Sequence, residues 1–91
     1  MRYTFKTPYE FDDKEYSEIE FDLDGVKGSD ISAVKKQFAA AGHFSPVPTA
    51  DSDFCALLLA RVTKMPLEFY ADMPAKDYCA ITQMVSNFLL A

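Results

Sequence analysis

With 91 residues, the chain has room for one domain and a modest core, burying roughly 60–65% of the surface its unfolded form exposes. Apolar residues make up 49% of it, a globular rather than a disordered composition. The net charge of −5 argues against nucleic-acid and anionic-membrane partners, which need clustered Lys and Arg.

The acidity is local. Residues 1–24 hold eight acids (Glu10, Asp12, Asp13, Glu15, Glu18, Glu20, Asp22, Asp24) against three bases, while residues 25–91 hold six of each. The N-terminal element therefore carries the whole excess, which allows a basic protein partner. No basic start is followed by an apolar run, so no signal peptide is expected. The longest apolar run, Cys55 to Ala60, is too short to span a membrane.

Residues 2–23 predict a β-hairpin. Tyr3, Phe5, Tyr9 and Phe11 fall on odd positions, as an alternating strand requires, with a bend at Pro8. Asp12-Asp13-Lys14 is turn chemistry. From Ser17 to Asp24, Ile19, Phe21 and Leu23 alternate with Glu18, Glu20 and Asp22. The apolar face needs cover, since a bare two-stranded hairpin is marginal in water. The acidic face of Glu18, Glu20 and Asp22 has two readings. It is a solvated strand that resists edge pairing, or a docking face for a basic partner.

The first helix is predicted over about 29–41, capped by the Ser29 hydroxyl and stopped at Gly42. Ile31, Val34, Phe38 and Ala41 form its stripe, and the pattern predicts that it lies across the hairpin. His43, the only histidine, reads as a loop residue beside a helix end, with no catalytic or metal partner near it in sequence. Pro46 and Pro48 stiffen the connector. The second helix, about 51–65, is capped by Asp51 or Ser52 and carries Phe54, Leu58, Val62 and Met65. Leu57 and Leu59 widen its apolar surface, which predicts a central helix touched on several sides. Residues 66–72 predict a short helical turn with Leu67 and either Tyr70 or Phe69 inward.

The last helix is predicted over about 74–90. Pro74 suits its first turn and Asp77 meets the positive end of its dipole. Tyr78, Ile81, Val85 and Phe88 share one face, with Lys76, Ala80, Gln83 and Asn87 opposite. Phe88, Leu89 and Leu90 follow at its end. An apolar end of this kind docks on its own domain, docks on a partner, or continues into a longer product. The whole pattern is α+β: one antiparallel hairpin packed against three helices and a short turn, in a single domain spanning 1–91.

No chemistry of bond-breaking is legible. The three glycines sit in turns rather than in a phosphate loop. A Ser-His-Asp site would have to use His43, and no serine has a nucleophile-elbow context. The paired carboxylates alternate along a strand without an apolar pocket to raise a pKa. Asp22 and Asp24 lack the remaining ligands of a calcium loop. Cys55 and Cys79 read as small buried side chains in a reducing compartment, without metal spacing. No catalytic, cofactor or metal residue is assigned, and the residues alone describe a small acidic interaction module.

Several pieces in order carry a resemblance. They are Ile19 to Asp24 leading into Gly28-Ser29-Asp30, an alanine-bearing first helix, and the loop with Pro46. Then come Leu57 to Arg61, Pro66, Met73-Pro74-Ala75-Lys76-Asp77, and Val85 to Leu90. The chain resembles the short tail assembly chaperones of Mu-like and related tailed bacteriophages. Val26-Lys27 departs from the Leu-Thr that often precedes the equivalent glycine.

The resemblance implies a non-enzymatic protein of the bacterial host cytoplasm, absent from the mature virion. It implies binding to the tape measure protein, a long helical chain that is kept soluble while tail tube subunits are recruited. Tyr78, Val85, Phe88, Leu89 and Leu90 are then the candidate partner-binding residues, with Phe88-Leu89-Leu90 first. Core packing of that turn is the competing reading. Self-association is compatible with the same turn. The resemblance also implies a longer frameshifted product, since Asn87-Phe88-Leu89 is encodable by a slippery run of T. The alternative function is a small acidic regulator or inhibitor acting through Glu18, Glu20 and Asp22.

Overall fold

A computed structural model describes residues Met1–Ala91. In chain order it has β1 (Arg2–Phe11), β2 (Lys14–Glu20), α1 (Gly28–Ala40), a 3-10 turn (Pro48–Ala50), α2 (Ser52–Thr63), α3 (Leu67–Ala71) and α4 (Ala75–Leu90). The class is the expected α+β, with one two-stranded antiparallel sheet and helices packed on it.

Asp12 and Asp13 connect the strands with φ of 52° and 62°, the positive sign a two-residue hairpin connection demands. Phe11 pairs with Lys14 and Tyr9 with Tyr16, but farther along Tyr3 pairs with Ile19. Between these blocks four residues of β1, Phe5 to Pro8, stand against Ser17 alone. The three extra residues make an irregularity where Pro8, which has no N–H, costs the ladder nothing. An odd insertion also flips the parity of β2, so Tyr16 and Ile19 both turn toward the core. The second strand starts earlier than its alternation suggested and ends at Glu20. Pairing still continues past that end. Phe21 N–H donates to the Met1 carbonyl at 2.9 Å, and the Met1 ammonium donates to the Phe21 carbonyl at 2.7 Å.

Helix α1 begins one residue before its expected start, with Lys27 rather than Ser29 at the cap. Asp30 does the capping from inside the first turn. Its Oδ2 accepts the Lys27 N–H at 2.9 Å, and its Oδ1 accepts Arg61 Nε from α2 at 3.0 Å. The Lys27 N–H, and then Arg61, hold the Asp30 carboxyl below its usual range. Gly42, at φ 87°, ends the helix as expected.

The predicted placement of α1 across the hairpin is not what forms. Helix α1 packs on α2, where Phe38 meets Phe54 edge-on at 5.8 Å between ring centres. The hairpin is covered instead by α3 and α4. Phe69 of α3 is the hub, with Tyr9, Phe11 and Tyr16 at 5.3, 5.2 and 4.9 Å. The Tyr9 hydroxyl donates to the Phe69 carbonyl at 2.8 Å. Phe69 and Tyr70 are both fully buried, while Leu67, expected inward, is 42% exposed.

Helix α2 is central, touching α1, α3, α4 and the 3-10 turn. Asp51 caps it by accepting the Asp53 N–H, and Lys64 ends it at φ 58°. Phe54, Cys55, Leu58 and Leu59 are all sealed. On α4 the buried stripe runs through Asp77, Ile81, Thr82, Val85 and Ser86, turned away from Tyr78 and Phe88. On that edge the Tyr3 hydroxyl of β1 donates to the Asp77 carboxylate. Both cysteines are free; Cys55 is buried, but Cys79, also expected buried, is exposed. No helix is long and apolar enough to cross a membrane.

Candidate partner-binding surface

The five residues expected to meet a partner are divided by the fold. Val85 is completely buried and belongs to the core, so it offers nothing to a partner. Leu89 is half-buried against the same core. Phe88 and Leu90, one helical turn beyond, are 38% and 57% exposed. The last turn of α4 thus half-covers Leu89 and leaves Phe88 and Leu90 more exposed.

Tyr78 lies at the other end of α4, in a cleft of about 120 Å³ with His43, Asp53 and Leu57. Its hydroxyl donates to Asp53 Oδ1 at 2.7 Å. Burial, then the Asp53 carboxylate, pushes the Tyr78 phenol above its ordinary pKa. His43 Nδ1 is 4.0 Å from Asp53 Oδ2, and the His43 ring stacks on Phe38 at 5.0 Å. A histidine and a carboxylate therefore do share a cleft. The hydroxyl beside them is harder to ionise than a free tyrosine, the reverse of an activated nucleophile.

A further exposed group was not singled out from the sequence. Phe44, just after the α1 stop, is 89% exposed, and Val47 in the same loop is half exposed. A large apolar residue in a proline-bearing loop, where no periodicity assigns it a buried face, was the available signal.

A family model described as "Phage tail assembly chaperone proteins, E, or 41 or 14" matches residues 2–90. The chain belongs to the phage tail assembly chaperone family. Comparison with curated proteins and with solved structures gives no match. Tail assembly chaperones have protein partners in tail assembly, and the family points to a non-enzymatic role.

Against that background the acidic face of the chaperone is more occupied than its sequence suggested. Arg2 Nε lies 2.9 Å from Glu18 and Arg2 Nη2 lies 3.0 Å from Glu20. Asp22 accepts the Asp24 N–H at 2.9 Å and shapes the turn after β2. All three carboxylates stay at the surface, but one guanidinium spans two of them.

Proposed function

We propose that this chaperone binds the tail tape measure protein in the host cytoplasm, keeps it soluble, and helps recruit tail tube protein before leaving the finished virion. One observation carries the reading. Phe44 is 89% exposed and Phe88 and Leu90 are partly exposed, so apolar surface lies open at a loop and at the end of α4. A long helical client exposes apolar stripes before it is wrapped, and those stripes aggregate. Phe44, nearly all exposed, contributes roughly 1.5–3 kcal/mol once covered, and Phe88 and Leu90, partly covered already, contribute less, before the costs of association. A few such contacts give a hold that is real and reversible, as temporary cover requires. The acidic strand as a docking face has weaker support, because Arg2 already spans Glu18 and Glu20.

Co-expression with the tape measure protein tests this. The wild-type chain keeps the client in the soluble fraction, and Phe88→Ser with Leu90→Ser releases it to the pellet while leaving the melting midpoint unchanged. Equal solubility with and without the chaperone would refute the proposal. A longer product read through from Asn87-Phe88-Leu89 belongs to the same reading. A Phe88 codon of TTC, or no overlapping downstream frame, removes that part alone.

A further inference from the structure

Helix α2 turns one stripe toward an open groove. Its residues are Asp53, Ala56, Leu57, Ala60 and Arg61, spaced by three and four. Three adjacent depressions lie along this stripe and share lining residues. The first shares Leu57 and Leu67 with the second, and the second shares Asp53, Ala71 and Tyr78 with the third. Gln37 of α1, with Ala41 and His43 just past its end, lines one side, and α3 with the first turns of α4 forms the other. Asp53 to Arg61 covers about 12 Å of helix axis, a little over two turns. Ala60 and Ala71 keep the rim low, while Ala56 lies sealed beneath at 1% exposure, so another backbone can approach closely.

The groove is charged with opposite signs at its ends. Asp53 stands at one, with Asp51 and Asp72 adjoining its lining in sequence. Arg61 stands at the other, and Asp30 takes only its Nε, at 3.0 Å. The Nη groups remain free to bind.

We propose that this groove takes an amphipathic helix of a partner protein, lying antiparallel to α2. Helices favour Lys and Arg in their last turn and Asp and Glu in their first. Run antiparallel, such a helix sets its basic last turn on Asp53 and its acidic first turn on Arg61. Run parallel, it sets like charge on like. Large apolar residues at three- and four-residue steps on the occupant pack over Leu57 and Ala60. The proposal rests on the chaperone reading for its partner, the tape measure protein, and adds to it where and in which direction that partner lies.

Cys79 lines the groove at the Asp53 end and is exposed, whereas Cys55 is buried, so a benzophenone-maleimide photocrosslinker attaches to Cys79 alone. Irradiated complexes of the labelled chain with the tape measure protein are digested and read by mass spectrometry. Crosslinks are expected in one amphipathic helical segment, at its basic C-terminal turn. Ala71→Arg, which raises a bulky cation on the groove rim, lowers co-purification about tenfold. Asp53→Asn, which keeps the acceptor for Tyr78, lowers it as well. Crosslinks to a second copy of this chain, or at the N-terminal turn of the segment, overturn the inference. Ala71→Arg retaining the client while Phe88→Ser loses it overturns the groove and leaves the chaperone reading standing. A wild-type chain that fails to bind the tape measure protein overturns both.

Discussion

One phenol ties the two ends of the chain together. The Tyr3 hydroxyl donates to Asp77, a carboxylate only 6% exposed, so strand β1 and helix α4 share a polar pin. Burial, and then the carboxylate itself, pushes the Tyr3 pKa up to about 12 from 10.0. A raised folded-state pKa gives stability that is complete below the unfolded value. It is lost as pH rises through the folded one, so the window here is about pH 10 to 12. Tyr3→Phe leaves Asp77 buried without that donor and should cost about 1–3 kcal/mol at neutral pH. The variant should also lose part of the alkaline decline; Tyr78, shifted upward too, keeps the remainder. Denaturant melts at neutral and alkaline pH, read beside tyrosinate absorbance, check both effects. An unchanged melt at neutral pH would mean that the pin holds nothing.

The hairpin connection shows what an element tolerates. Asp12 and Asp13 both sit at positive φ, where a side chain of L configuration is strained and glycine is not. Asp13→Gly should raise stability by roughly 1 kcal/mol, through relief of that strain and removal of one acid from a crowded tip. A higher denaturation midpoint at an unchanged slope checks it; a lower midpoint would place the value of Asp13 in a contact instead. The turn itself was legible, as were the odd-numbered apolar positions of β1. Tyr16 was not, because the irregularity opposite Ser17 reverses which parity faces inward, and no local pattern reports a three-residue insertion. Helix α1 is a parallel case. Val34 and Phe38 identify its buried face, but a stripe does not say which neighbour it will meet, and it met α2 rather than the sheet. The cap was missed because Asp30 acts from within the helix, in a role that a preceding serine obscured.

At the scale of the molecule, the boundary between core and surface was the hardest thing to read. Periodicity put Val85 and Phe88 on one face, yet Val85 is sealed and Phe88 is 38% exposed, because the buried stripe of α4 follows the four-residue steps Asp77, Ile81 and Val85. The α2 groove was hidden for another reason: its walls come from three separate helices, and no stretch of chain contains it. The two thiols give a direct measure of how firmly that boundary is held. Cys79 is exposed, while Cys55 is wholly buried, and burial raises its pKa to about 11. In the native chain a disulfide reagent at neutral pH should consume one thiol at once. The second should react only as fast as the core opens, since a buried thiol cannot form the attacking thiolate in place. Because Tyr3→Phe lowers the opening free energy by about 1–3 kcal/mol, it should speed the slow phase roughly 5- to 150-fold without touching the fast one. Two fast thiols would show that the packing around Cys55 gives way locally, without the rest of the core.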